Sequence, residues 1–164
     1  MNPEDNYAAN FASKMCAVNS SEFPNLSALM CWDAVKYCAL KAGIIDQNKY
    51  NRLQGKYDLV TPTDRMIVGA NAMYRLERGN VIGFYWQNNN GPVLVHAMIS
   101  LGKGLTAGNK NDCVGVGRAL SWEKLDLSSD LNWAADGTII APGGGPDGRT
   151  LTARKRPISY LRFS

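Results

Sequence analysis

The apolar residues of this chain change their spacing at Arg78-Gly79, and that change limits what the chain can fold into. From about Ser27 to Ala42 they recur at helical intervals, at Cys31, Ala34, Val35, Cys38, Ala39 and Ala42, and Gly43 ends the run as a helix cap would. Beyond Gly79 the period shortens. Asn80 to Gln87 is a strand rich in aromatic and β-branched residues, Asn88 to Pro92 a turn, and Val93 to Leu101 a central strand. Gly102 to Gly104 is a tight turn into a return strand at Leu105 to Ala107. Further strands are expected at Cys113 to Arg118, Gly137 to Ala141 and Arg154 to Phe163, with Pro142 to Gly148 as a surface loop. Helices gathered ahead of short strands, without βαβ alternation, predict an α+β fold with N-terminal helices packed on an antiparallel sheet.

The helical half has further signals. A short helix is expected at Ala8 to Val18, another at Asp46 to Gln54, and a third from Thr61-Pro62-Thr63-Asp64 to about Leu76. In the last, Thr61 would cap, Pro62 would occupy the first turn and Asp64 would suit the helix dipole. Nothing marks a linker or repeat, so residues 1–164 read as a single domain.

The formal charge of +4 is too small to argue for nucleic acid without a basic stripe interleaved with aromatics, and no nucleic-acid partner is expected. The densest positive stretch, Arg149 to Arg162, reads as a solvated strand face, with docking to an acidic partner or lipid surface as the alternative. No run approaches the roughly 18 apolar residues that span a bilayer. The N-terminus lacks the charged start and apolar core of a cleavable signal, so the expected location is cytoplasmic, or outside the cell by a specialised secretion system. The chain is expected to be a monomer. Cys16, Cys31, Cys38 and Cys113 form no CxxC pair and are expected to be free thiols. With one histidine beside them a zinc site has too few natural ligands, and neither metal nor organic cofactor is expected.

Two residues carry the chemistry. His96 is the only histidine and lies in the apolar run Pro92 to Leu101, where packing needs no imidazole. Cys31 opens the amphipathic helix, where the helix N-terminus and a nearby imidazolium would both lower a thiol pKa. An imidazole facing the helix start would take the thiol proton and later return it to a leaving amine. Taken singly, each has a plainer explanation, a buried core cysteine and a satisfied strand histidine. The hairpin at Gly102 to Gly104 places residues near 110 opposite His96, so Asp112, with Asn111 and Asn109 close by, is the nearest acid to orient the ring. Asp136, at the start of a later strand, is the other candidate.

The Cys31-led helix, the strand Gly79 to Phe84 and the strand-turn His96 to Gly104 together resemble the three signature blocks of the papain-like and NlpC/P60-like cysteine hydrolases, over about residues 25 to 117. Met30 and Trp32 flank the cysteine where that superfamily usually has Asp and Ser. The resemblance implies a papain-like fold, a Cys-His-Asp triad of Cys31, His96 and Asp112 or Asp136, and no cofactor. It also implies an oxyanion hole of the Cys31 backbone N–H and Asn25, which stands where papain-like enzymes carry a glutamine. In size and in Cys, His, Asp order the chain is similar to bacterial effector toxins of the TecA-like type, which deamidate Rho-type GTPases. The implied substrate is a glutamine or asparagine of a host protein such as a small GTPase. Peptidoglycan, cut by an amidase or endopeptidase, is the alternative, and a non-catalytic binding module with an inert Cys31 is the third reading.

Overall fold

A computed structural model describes residues 2–117, 121–141 and 149–164. Seven helices appear among them: α1 (Pro3–Lys14), α2 (Phe23–Ala28), α3 (Cys31–Lys41), α4 (Gln47–Arg52), α5 (Gly55–Asp58), α6 (Gly69–Tyr74) and α7 (Leu127–Asp130). The strands are β1 (Arg65–Ile67), β2 (Asn80–Asn88), β3 (Gly91–Gly102), β4 (Leu105–Asn109), β5 (Trp122–Asp126), β6 (Asn132–Trp133), β7 (Ile139–Ala141) and β8 (Arg149–Pro157). They form one antiparallel sheet in the order β5-β4-β3-β2-β8-β7-β6, with β1 paired to β8. The fold is α+β, as the change of period predicts.

The helix signals act as their chemistry requires. Asn2 caps α1, its side chain accepting from the Glu4 backbone N–H at 2.9 Å, and Pro3 follows at the first helical position. The helix therefore starts at Pro3 and stops at Lys14, earlier at both ends than the expected Ala8 to Val18. On α3 the residues Cys31, Ala34, Val35, Cys38 and Ala39 are buried, as their spacing predicts. Gly43, at φ +76°, closes the helix with Gly43 N–H to Leu40 O and Ile44 N–H to Ala39 O, the paired bonds of a left-handed cap.

Three expectations fail for local reasons. Thr61 to Asp64 starts no helix: the Asp64 carboxylate accepts the Thr61 N–H at 2.8 Å and pairs with Arg156 at 2.9 Å. The chain then enters β1 against β8, and α6 is only six residues long. Cys113 lies in a 3-10 turn, Asn111–Val114, because Lys110 before it and Gly115 after it take left-handed conformations; Arg118 is outside the described residues, as is the expected loop Pro142 to Gly148. The last strand ends at Pro157, which has no N–H for the ladder, and Ile158–Phe163 is a 3-10 helix. Strand β5 has no counterpart in the expected elements; it pairs along β4 from Leu105↔Asp126 to Asn109↔Trp122.

Both faces of the sheet are covered. Val81, Tyr85, Ala97, Ile99 and Ala107 pack with Leu26, Val35, Cys38 and Ile44 on the helical side. Ile82, Phe84 and Met98 pack with Leu127, Ile139 and Leu151 on the other. Burial on both sides explains why β2 and β3 read as nearly continuous apolar runs. The β2–β3 ladder shifts register between Phe84 and Tyr85: Phe84 faces His96 and Tyr85 faces Leu94, which leaves Val95 as an extra residue. That bulge reverses the alternation next to His96, so Leu94 and Ala97 face the helices while His96 shares its face with Phe84.

Candidate functional site

His96 sits on β3 with no solvent exposure, its ring 5.8 Å from that of Phe84. Its Nε2 lies 2.8 Å from Oδ1 of Asn111, also fully buried, in the 3-10 turn after β4. The Asn111 amide cannot be turned around. Its Nδ2 donates to Gly108 O and to Glu123 Oε2, both at 3.2 Å, and the Gly108 carbonyl cannot donate in return. Oδ1 therefore faces the ring as an acceptor, Nε2 carries the proton, and Nδ1 is left with a lone pair. Nδ1 is buried and has no hydrogen-bond partner among the described residues. Burial lowers the His96 pKa to about 4, against the opposing pull of Asn111 and the Asp112 charge. The ring is a neutral base at ordinary pH.

Cys31 is the first residue of α3 and 3% exposed. Burial pushes its thiol up to about 12, and Cys113 nearby adds to the rise. The nearby backbone N–H groups of Ala97, Trp32 and Cys31 itself oppose the rise. The expected lowering by the helix N-terminus is thus present and outweighed by desolvation. Ala97 follows His96 directly but faces the helices, whereas the imidazole shares the opposite face with Phe84, and no hydrogen bond joins the sulfur to the ring among the described residues. Asn109 holds the segment leading into Cys31: its Nδ2 donates to Leu26 O at 2.9 Å, Ser27 O at 3.1 Å and Leu29 O at 2.5 Å. No disulfide joins the cysteines among the described residues.

The other expected site residues are elsewhere. Asp112 is exposed and acts on His96 only through its charge; the residue bonded to the ring is its neighbour Asn111. A buried amide meets a neutral imidazole without the cost of desolvating a carboxylate. Asp136 is exposed in the β6–β7 turn, accepting from Thr138 N at 3.0 Å and Thr138 Oγ1 at 2.6 Å, which lowers its pKa. In the sheet order that hairpin is separated from β3 by β2 and β8. Asn25 is exposed on α2, its amide donating to Glu22 Oε1 at 3.1 Å. Three residues have roles that the sequence does not assign. Asn111 and Asn109 stand in the polar run after β4, where spacing marks them only as neighbours of an acid, and Glu123 lies on the unexpected β5. Gly108 is a fourth partner: a Cβ there would stand 2.7 Å from Met98 Cε and 3.0 Å from Asn111 Oδ1.

A groove of about 330 Å³ lies between the stretch Lys56–Pro62 and the start of β3, and neither Cys31 nor His96 lines it. Among the described residues no three His, Cys, Asp or Glu side chains converge as a metal site would need, and no helix is long and apolar enough to cross a membrane.

The fold and site define an α+β protein with a buried His96–Asn111 pair on the sheet and a buried Cys31 at the N-terminus of α3. No protein-family model, curated protein or solved structure matches the chain.

Proposed function

We propose that the protein is a cysteine-dependent amide hydrolase with Cys31 as nucleophile, His96 as general base and then acid, and Asn111 as the residue that orients the ring. One observation carries the reading: the fixed Asn111 amide leaves the Nδ1 lone pair of a neutral, buried histidine unpartnered, next in the chain to Ala97, whose backbone N–H lowers the Cys31 thiol pKa. A buried base without a partner is costly to keep unless it has work to do.

The protonation states define the first step. The thiol is held protonated and the imidazole neutral, so no ion pair is stored at rest. In this reading the Cys31 proton passes to Nδ1 as the sulfur attacks the amide carbonyl, and backbone N–H groups at the start of α3 stabilise the developing oxyanion. Nδ1–H then protonates the leaving amine, a thioester remains, and water taken up by the same base releases the acid. Deamidation of a host-protein glutamine or asparagine, on a Rho-type GTPase, is the form of this chemistry favoured by the resemblance to effector toxins. A peptidoglycan amidase would use the same steps. Burial of Cys31 favours the rival reading, a binding module with an inert thiol.

The test is the pH profile of Cys31 alkylation in the native protein and in His96→Ala, read by peptide mass spectrometry. A base-assisted thiol reacts at a rate that levels off above the His96 pKa and collapses in the variant. An inert thiol reacts in proportion to its thiolate, about tenfold faster per pH unit up to high pH, with no dependence on His96. That second profile would overturn the enzyme. With candidate substrates, a deamidase adds one dalton to a protein amide, whereas a cell-wall amidase frees amines from peptidoglycan.

A further inference from the structure

The groove between Lys56–Pro62 and the start of β3 is built in a way that selects a ligand. Val60, Pro62, Tyr85, Pro92 and Leu94 give it mainly apolar walls. Gly83 on β2 makes one wall possible, because any Cβ there would stand 2.4 Å from Val60 Cγ1 and push the Val60–Pro62 stretch away. The Tyr85 hydroxyl anchors the same stretch by donating to Val60 O at 2.9 Å. The groove meets chain neighbours of Cys31 and His96, though neither of the two lines it. Leu94 lies two residues before His96 on β3, and Gly55, at the start of α5, packs against the Trp32 backbone, immediately after Cys31. Lys56 lines the groove with its ammonium 5.6 Å from the centre of the Trp32 ring, and no carboxylate pairs with it among the described residues. A volume of about 330 Å³ is at the lower end of the range of ligand pockets, about 300–1,000 Å³.

We infer that this groove takes a peptide segment of the substrate in which the residue offering its amide to Cys31 is accompanied by one apolar side chain and one carboxylate. The apolar side chain packs on the wall formed by Val60, Pro62, Pro92 and Leu94. The carboxylate pairs with Lys56, where the low-dielectric walls make a single charge contact more selective than on an open surface. The inference rests on the amide-hydrolase reading and adds the substrate class to it.

The test uses peptidyl acyloxymethyl ketones on the full chain. Their reaction with Cys31 forms a carbon–sulfur bond and breaks a carbon–oxygen bond, releasing a carboxylate, while the thiol proton leaves through His96. Probes carrying Leu-Glu, Leu-Lys and Ser-Glu beside the electrophile are compared by labelling rate. Leu-Glu is expected to label about tenfold faster than Leu-Lys, the size of one well-placed charge contact, and faster than Ser-Glu. Lys56→Glu should reverse the charge preference, and Lys56→Met should abolish it while keeping the preference for Leu. Equal rates, or a Glu preference unchanged in Lys56→Glu, would overturn the groove assignment and leave the hydrolase standing. Failure of every probe to label folded protein, with rapid labelling once unfolded, would overturn the hydrolase and this inference with it.

Discussion

Nε2 of His96 donates to Oδ1 of Asn111 across 2.8 Å, and the amide that receives it is held in place from behind by Gly108 O and Glu123. This contact fixes the tautomer of the only histidine in the chain, so its state can be read without ambiguity.

The nitrogen spectrum of His96 should show a neutral ring protonated at Nε2, unchanged from pH 8 down to about 5, with titration centred near 4. Asn111→Leu should mix the two tautomers while the protein remains folded. A ring protonated at Nδ1 in the native protein would refute the assigned geometry.

The same burial sets an acid limit to stability. His96 has a folded pKa near 4 against an ordinary value of 6.5, so the unfolded chain binds the extra proton first. Its contribution is complete above about pH 6.5 and is lost as pH falls toward 4. The loss amounts to roughly 3 kcal/mol, because each tenfold difference in proton affinity between the folded and unfolded chain is worth about 1.4 kcal/mol. Urea denaturation of the native protein and His96→Gln at pH 7, 5.5 and 4 measures this directly. Identical pH dependence in the two proteins would contradict it.

Asn109→Ala removes the donor shared by three carbonyls ahead of Cys31. Leaving those groups without their amide should cost about 2–3 kcal/mol. Loosening the loop should also speed Cys31 labelling by a bulky thiol reagent relative to the native protein. A stability loss with unchanged labelling would show that Asn109 supports the fold without controlling access to the thiol.

Gly108→Ala tests how tightly the histidine's support is packed. The added methyl would press on Met98 and on Asn111 Oδ1 together, at an expected cost of about 1–3 kcal/mol for overpacking. Asn111 should be displaced, and the His96 nitrogen signals should move toward those of Asn111→Leu. Thermal melting and the His96 spectrum report the two effects separately.

Much of this was legible in the residue order. Gly43 marked the end of α3, the apolar period marked its buried face, and the run from Val93 to Leu101 marked the central strand with His96 on it. These are local effects, set by turn geometry and by which side of an element is apolar. His96 stood out as an imidazole in an apolar strand, and Cys31 as a cysteine opening a helix.

What stood across from those elements was decided by tertiary structure. Asp112 looked like the orienting residue by sequence position, but the left-handed turn at Lys110 swings Asn111 inward and Asp112 out. Glu123 reaches Asn111 only because β5 pairs with β4. The bulge at Val95, which aims His96, depends on how β2 and β3 settle against two cores at once. The pKa values follow from burial, which no residue can report about itself: the helix start that should have lowered the Cys31 thiol is overruled by the packing around it. Sequence alone determined which side chains were available and the period of the elements carrying them. Partners, protonation and access came from long-range pairing, because each depends on groups distant in the chain and brought together only by folding.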